Sequence, residues 1–280
     1  MYLSHDTRQV IVSGATGFIG QHLVPLLINN GYEVIAIARN LTKAKSFEWF
    51  ERVNFIELDL NRDTFKFRFK KGAGLIHLAW DGLPNYKSSF HIEKNLFSSY
   101  NFIKSLVCQG IEHVLVSGTC LEYGIQSGPL SSSLDTNPQI PYAIAKDSLR
   151  KFLNCLSSEK ALNLQWARLF YSYGEGQNPN SIISQLDQAM VNNELIFNMS
   201  GGEQLRDYLP IEEVAIQLFQ LYEYKKPGNY NICSGSPISV RSLVEQRIKN
   251  NRSNIKLGIG ILPYSDYEPM EFWGIRDSLT

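Results

Sequence analysis

Two side chains in the middle of the chain, Tyr142 and Lys146, are spaced for acid–base chemistry. They lie four residues apart in the tract Tyr-Ala-Ile-Ala-Lys, which on a helix places them on one face, a single turn apart. A tyrosine with its ordinary pKa of about 10 is a poor acid–base catalyst at neutral pH, and a fixed cation beside it favours the phenolate. The pair therefore predicts a tyrosine of lowered pKa that exchanges a proton with a substrate hydroxyl or carbonyl.

A third polar side chain, Thr119, follows an apolar strand-like tract in LVSGTCLEYG. A tyrosine and a lysine at this spacing occur by chance on many amphipathic helices, so the pair alone would not indicate a site. The Thr119 hydroxyl can bond to the same substrate oxygen, polarising a carbonyl or orienting an alcohol. Thr119, Tyr142 and Lys146 thus form a candidate catalytic trio.

A glycine-rich loop near the N-terminus predicts a phosphate site. In VIVSGATGFIGQHLV an apolar strand ends at Ser13 and a helical pattern begins near Phe18. Glycine permits positive φ and lets a pyrophosphate approach main-chain N–H groups at the helix start. A strand-to-helix turn would also place glycines here, but strand, loop and helix in this order favour a dinucleotide. The predicted loop is Gly14-Ala15-Thr16-Gly17-Phe18-Ile19-Gly20.

Residues after the second and third strand-like tracts bear on which dinucleotide binds. Arg39-Asn40 stands where an acidic residue would accept hydrogen bonds from a free ribose hydroxyl, and a guanidinium there can pair with a 2′-phosphate. Arg39 therefore favours NADP over NAD, unless it is only a solvated surface residue. Asp59-Leu60 is placed to receive the adenine edge, or else forms a strand-end turn.

These residues are positioned by alternating strands and helices. Apolar runs of strand length alternate with longer helical patterns, which predicts a mostly parallel, Rossmann-type doubly wound α/β sheet. Gly31 and Gly110 follow helical patterns where a C-terminal glycine is expected. The predicted strands are 9–13, 33–38, 53–58, 74–78, 113–117 and 164–170, and the predicted helices are 19–30, 88–108, 143–160 and 211–223.

The rhythm of the elements changes near Tyr173, where loops separate shorter elements. We divide the chain into a dinucleotide-binding domain over 1–172, with the Tyr–Lys helix, and a smaller substrate-binding lobe over 173–280. The predicted helix at 211–223 is expected to pack back on the first lobe.

Charge and composition exclude several classes of partner. Twenty-seven basic residues balance twenty-seven acidic ones, so no net field favours nucleic acid or an anionic membrane. No stretch approaches the ~20 apolar residues of a membrane span, and no signal-peptide pattern precedes the first strand. The four cysteines fit neither a zinc pair nor a dense disulfide framework. We expect a cytoplasmic protein with a small-molecule substrate.

The five histidines, His5, His22, His77, His91 and His113, show no metal-ligand spacing, and no metal is predicted.

Six motifs together closely resemble the extended short-chain dehydrogenase/reductase family of nucleotide-sugar epimerases, dehydratases and reductases. They are GATGFIG, HLAW, SGTCLEYG, YAIAK, RLFYSYGEGQ and RDYLPIEEVA, and the resemblance runs from about Gln9 to at least Ser242. It implies a nicotinamide cofactor, a nucleoside-diphosphate sugar, the trio as catalytic residues, and often a homodimer. Lys146 would also hold the nicotinamide ribose. The motifs add Leu78, Ala79 and Phe170 to the expected cofactor contacts.

Departures from the family narrow the reaction. The 4,6-dehydratases carry an Asp-Glu pair after the hydroxyl residue, and Cys120-Leu121 stand there in this chain, so dehydration is disfavoured. Cys120 is expected to be an inert, packed thiol. Arg39 favours an NADPH-dependent reductase. The tracts GEGQNPNSIISQ and GGEQLRDYLPIEEVA resemble reductases of a dTDP- or CDP-4-keto-6-deoxyhexose, which make deoxysugars for surface polysaccharide. The alternatives are an NAD-dependent 4-epimerase and a non-catalytic dinucleotide-binding regulator.

The resemblance also implies substrate contacts. Arg206 matches a family position that grips the substrate diphosphate, although an ion pair with Asp207 or Glu212 would also explain it. Trp80 either walls the site or packs as an ordinary aromatic. Tyr171 stands where many relatives have asparagine. The expected substrate-binding residues are Trp80, Thr119, Tyr171, Asn178, Ser181 and Arg206.

Overall fold

The computed structural model describes residues 8–62 and 67–279, so His5 lies outside the described residues. Within them the strands, labelled β1 to β14 in chain order, are Gln9–Ser13, Glu33–Ala38, Asn54–Glu57, Gly74–His77, His113–Thr119, Gly128–Leu130, Asn163–Leu169, Tyr171–Tyr173, Ile196–Asn198, Leu205–Pro210, Gly228–Ile232, Pro237–Ser239, Lys256–Gly258 and Phe272–Gly274. The α-helices, labelled α1 to α7, are Gly20–Asn29, Leu41–Ala44, Phe97–Cys108, Pro141–Lys160, Ile182–Val191, Ile211–Tyr224 and Val240–Asn250.

Seven parallel strands form the large sheet, in the order β11-β7-β5-β4-β1-β2-β3. The strands β1, β2 and β4 are almost entirely buried, which is why their sequences are apolar runs and not alternating patterns. From β1 the chain first adds β2 and β3 on one side and then β4 and β5 on the other. This reversal leaves a crevice at the carboxyl ends of β1 and β4, where ligands bind in doubly wound folds.

Helices cover both faces of this sheet. On one face Leu23 and Leu27 of α1 lie in one apolar cluster with Leu218 and Leu221 of α6. On the other face α3 and α4 contribute buried side chains to a second cluster, among them Phe102, Leu106, Leu149 and Leu153. The predicted Rossmann-type class is confirmed.

Element boundaries agree with the sequence-based expectations to within two residues, with one difference in kind. The predicted helix at 88–108 begins as a π-helix over His91–Leu96 and becomes α-helical only at Phe97. Gly31 and Gly110 have φ of 81° and 108°, as expected of glycines that follow a helix.

The C-terminal part of the chain contributes to both lobes. Helices α5 and α7 form a small core of their own with β9 and Ile255. In contrast, α6 packs on α1, as the sequence predicts, and β11 joins the edge of the large sheet beside β7. The division at 172/173 therefore stays an interpretation, because residues 211–232 belong to the large layer.

No helix in the described ranges is long and apolar enough to cross a membrane. The same ranges contain no group of three or more histidine, cysteine, aspartate or glutamate side chains that could hold a metal ion.

A buried carboxylate, Glu122, joins the ends of β5 and β7. It is fully buried and accepts hydrogen bonds from Thr119 N at 2.8 Å, Trp166 Nε1 at 3.0 Å and Arg168 Nε at 2.9 Å. Gly118 leaves the room for it, since a Cβ there would lie 2.2 Å from Trp166 Nε1 and 2.6 Å from Glu122 Oε1. The carboxylate thus fixes the backbone of Thr119.

Replacing this carboxylate should be costly. In Glu122→Gln the buried Arg168 loses its counter-charge, and we expect the free energy of unfolding to fall by about 3 kcal/mol. The exposed pair Arg241–Glu245 provides a matched control, because Glu245→Gln should cost less than about 0.5 kcal/mol. Urea denaturation of both variants measures the difference. Equal stability of the two variants would contradict a central role for Glu122.

Candidate active site

A cavity of about 380 Å³ occupies the crevice at the carboxyl ends of β1, β2 and β4. Ten residues predicted to bind cofactor or substrate line it: Gly14, Thr16, Gly17, Arg39, Asn40, Asp59, Leu60, Leu78, Ala79 and Trp80. Parallel strands deliver their following loops to one edge of the sheet, so residues far apart in sequence meet there.

The glycine loop has the shape of a phosphate cradle. Gly14 has φ of 75° and packs so closely on Ala79 that a Cβ would lie 2.8 Å from its nitrogen. A Cβ on Gly20 would lie 2.3 Å from Gly14 O, whereas the exposed Gly17 faces the cavity. Within the described chain the N–H groups of Phe18 and Ile19 have no acceptor at the start of α1. A pyrophosphate fits this cradle because it supplies acceptors to such free donors.

Side chains at the far end of the cavity suit an adenosine. Asn40 caps α2 by accepting a hydrogen bond from Lys43 N at 2.8 Å, and Asp59 accepts one from Asn61 N at 3.0 Å. Arg39 lines the cavity as predicted and is partly exposed, but its guanidinium also has a partner within the protein. It forms an ion pair with Asp81, with 2.7 Å between Nη1 and Oδ2.

The catalytic trio is assembled at the ends of β5 and α4. Thr119 ends β5, and Pro141 opens α4, which places Tyr142 in its first turn and Lys146 one turn later. The Thr119 side chain is a hydrogen-bond neighbour of the Tyr142 hydroxyl. Lys146 Nζ donates to Ser117 O at 2.8 Å and lies 4.0 Å from the centre of the Trp80 ring. All three trio residues are buried.

The pKa of Tyr142 differs from the sequence-based expectation. It is raised, not lowered, mainly because the ring is buried and secondly because Tyr86 lies beside it, while Thr119 acts in the opposite direction. Burial also lowers the pKa of Lys146 to about 7, opposed by Glu122. The lysine donates to a carbonyl and not to the phenol, and the raised pKa of Tyr142 favours its protonated form.

Trp80 walls the site between the cavity and the trio. Its ring covers Lys146 and meets Tyr142 edge-on at 6.0 Å. Trp80 Nε1 donates to His91 Nδ1 at 3.1 Å, and His91 in turn bonds through Nε2 to Asn85 O at 3.0 Å. The π-helix places His91 and Asn95 together behind Trp80. Sequence reasoning assigned no role to this histidine, and only its spacing of four from Asn95 could have signalled one.

Cys120 is packed, as expected. It is buried, and burial raises the pKa of its thiol, with a further contribution from Glu268. The raised pKa makes this thiol a poor proton donor and disfavours the thiolate.

Arg206 forms its contacts within the protein, and its role as a substrate contact stays a prediction. It is only 4% exposed, and its Nη2 donates to Glu268 at 3.0 Å, whereas Nη1 donates to the carbonyls of Leu205 and Met270. The expected structural partners, Asp207 and Glu212, are not the ones it uses. Tyr171 donates its hydroxyl to the same Glu268. No sequence pattern signals Glu268, which lies 62 residues beyond Arg206.

Three other predicted contacts have structural partners. The Phe170 ring packs against Tyr123 and Phe272 and does not line the cavity, so its assignment as a cofactor contact stays a prediction. Ser181 caps α5 by accepting from Ser184 N at 3.4 Å. Asn178 accepts a hydrogen bond from Asn180 N at 2.8 Å and is half-buried.

The fold and this site define an α/β protein with a dinucleotide-binding crevice and an adjoining Thr–Tyr–Lys constellation. The model of the NAD dependent epimerase/dehydratase family matches residues 10–233, and the chain belongs to that family. It is therefore an enzyme, and the alternative of a non-catalytic regulator is not retained.

Individual relatives span nearly the whole chain. The dTDP-6-deoxy-L-talose 4-dehydrogenase (NAD(+)) of Aggregatibacter actinomycetemcomitans is 32% identical, over 95% of this chain and 99% of the relative. The CDP-abequose synthase of Salmonella typhimurium is 25% identical, over 84% and 78%. The solved structure of MoeE5 in complex with UDP-glucuronic acid and NAD is 26% identical, with a TM-score of 0.79 and coverage of 96% and 90%.

Proposed function

We propose that the enzyme reduces a nucleoside-diphosphate 4-keto-6-deoxyhexose, with dTDP or CDP as the nucleotide, using a reduced nicotinamide cofactor. The observation that carries this proposal is the buried Thr119–Tyr142–Lys146 constellation beside a dinucleotide cradle. Relatives named for dTDP-6-deoxy-L-talose and CDP-abequose support a deoxyhexose attached to one of these two nucleotides.

Each member of the trio has a defined part in such a reduction. When bound, the nicotinamide ring supplies the hydride that reaches C4 of the sugar. Tyr142, protonated as its raised pKa indicates, donates its proton to the C4 oxygen. Thr119 donates a hydrogen bond to the same oxygen, and the Lys146 ammonium stabilises the phenolate that Tyr142 leaves behind. A protonated tyrosine is the state that ketone reduction requires.

Two features favour reduction over the other reactions of the family. Cys120 is a buried thiol of raised pKa, and Leu121 has no ionisable group, so the Asp-Glu pair needed for dehydration is missing here. A 4-epimerase would use the same trio, but it would return the hydride to the sugar and consume no cofactor. Net cofactor consumption therefore separates the two candidates.

The sugar nucleotide would lie between Trp80 and the C-terminal lobe. Trp80 is expected to wall the sugar, and Tyr171, Asn178, Ser181 and Arg206 are proposed for the nucleotide side. Arg206 is paired with Glu268. Its N–H groups would therefore reach a diphosphate only if some of them are left free by Glu268 or if the ion pair breaks.

The cofactor in this proposal is a nicotinamide dinucleotide. The guanidinium of Arg39 supports NADP, the form that the sequence predicts. In contrast, the 32% identical talose dehydrogenase carries NAD(+) in its name. We further propose a cytoplasmic homodimer that makes a deoxysugar donor for surface polysaccharide.

Removing the Tyr142 hydroxyl should abolish reduction while cofactor binding survives. For Tyr142→Phe we expect kcat to fall by about 10²- to 10⁴-fold, because the proton donor is lost. Loss of reduced-cofactor absorbance with dTDP- and CDP-4-keto-6-deoxyhexoses measures the rate, and calorimetry measures cofactor affinity.

Tyr100→Phe is the matched control for this variant. Tyr100 lies on α3 against Phe152, away from the cavity lining, so its hydroxyl should not affect kcat. Unchanged turnover in Tyr142→Phe would refute the catalytic assignment, and interconversion of 4-epimers without cofactor consumption would indicate the epimerase.

The rate of reduction should depend on pH through Lys146. Its pKa, lowered to about 7, means that the ammonium is present below this pH and is lost above it. We expect kcat/KM to be level below about pH 7 and to decline at higher pH, because the neutral amine no longer stabilises the phenolate. In Lys146→Arg the charge persists and the alkaline decline should disappear, at a lower absolute rate. A wild-type profile that rises through pH 8 would contradict this role.

A further inference from the structure

Asp81, the residue directly after Trp80, faces Arg39 across the adenosine end of the cavity. Arg39 Nη1 donates to Asp81 Oδ2 at 2.7 Å and Nη2 donates to Oδ1 at 3.0 Å, so one carboxylate takes both ends of the guanidinium fork. Hydrogen bonding to Arg39 lowers the pKa of Asp81, which keeps the carboxylate ionised at neutral pH. A 2′-phosphate would require the same fork.

The charges around this end of the cavity are balanced. Arg39 and Lys43 supply two positive charges, and Asp59 and Asp81 supply two negative ones. A phosphate dianion placed against Arg39 would meet the Asp81 carboxylate as a like charge. A free ribose hydroxyl carries no charge and can donate a hydrogen bond to a carboxylate.

A side chain of the π-helix holds the backbone of Asp81 in place. Asn95 Nδ2 donates to the carbonyl oxygen of Asp81 at 2.8 Å, and Asn95 is itself buried. The preceding residue, Trp80, is fixed by its bond to His91. The side chain of Arg39, in contrast, is 54% exposed. Asp81 is therefore the anchored partner, and Arg39 is the side chain that it restrains.

We propose that Asp81 determines cofactor specificity by holding Arg39 away from a 2′-phosphate, so that the enzyme binds NAD(H) at least as tightly as NADP(H). This inference rests on the proposed nicotinamide cofactor but not on the sugar. It reverses the preference that Arg39 alone predicts, because the partner carboxylate lies 42 residues further along the chain.

The test is the ratio of the dissociation constants for NADPH and NADH, measured by calorimetry on the full chain without a sugar substrate. For the wild type this ratio should be one or greater. In Asp81→Asn we expect NADPH to bind about tenfold more tightly, a gain typical of a charge-assisted bidentate pair, while NADH affinity changes much less. Arg39→Gln added to Asp81→Asn should remove the gain.

Asp59→Asn is the matched control, since it removes a carboxylate from the same cavity while the two hydrogen bonds between Arg39 and Asp81 remain. It should change the ratio less than Asp81→Asn does. Asp81→Ser provides a second variant, and folding of both is expected because the ion pair is largely exposed.

A wild type that binds NADPH tenfold more tightly than NADH, or an unchanged ratio in both Asp81 variants, overturns the proposal. This test of Asp81 is independent of sugar reduction, because it measures cofactor binding alone. A shifted ratio without any ketone reduction would contradict the proposed function alone, whereas ketone reduction with an unshifted ratio would contradict the role of Asp81 alone.

Discussion

The buried carboxylate of Glu122 is the interaction on which the catalytic end of the structure depends. Burial raises its pKa, and the adjacent Arg168 opposes this effect. A buried charge is tolerated only when its partners are complete, and here β5 and β7 supply them. Arg168 continues the network by donating to Tyr123 Oη at 3.1 Å, and Tyr123 donates to Asn231 at 2.7 Å. The Thr119 backbone is thus tied through the sheet to β11.

A second set of contacts links the two halves of the site. His91 of the π-helix accepts a hydrogen bond from Trp80, and Asn95 of the same helix donates one to the carbonyl of Asp81. One helix therefore fixes both Trp80 and Asp81. Trp80 covers Lys146 at the catalytic end, and Asp81 pairs with Arg39 at the adenosine end. Four consecutive residues after β4, Leu78 to Asp81, therefore line the crevice, and two of them contact Lys146 and Arg39.

Sequence patterns predicted those features that depend on neighbours along the chain. The alternating elements, the glycine loop and the helical spacing of Tyr142 and Lys146 are local, and the structure contains all three. Pairings between distant residues were not predictable, because Arg39 carries no local sign of Asp81 and Arg206 none of Glu268. The raised pKa of Tyr142 has the same origin, since burial and the orientation of Lys146 towards Ser117 O are set by tertiary packing.

The most direct test of hydride transfer uses reduced cofactor carrying deuterium at both positions of the nicotinamide C4. After incubation with a nucleotide-linked 4-keto-6-deoxyhexose, mass spectrometry and NMR of the released sugar nucleotide locate the label. Reduction predicts one deuterium at C4 of the sugar for each cofactor oxidised. A sugar product without deuterium at C4, formed while the labelled cofactor stays reduced, would contradict the account.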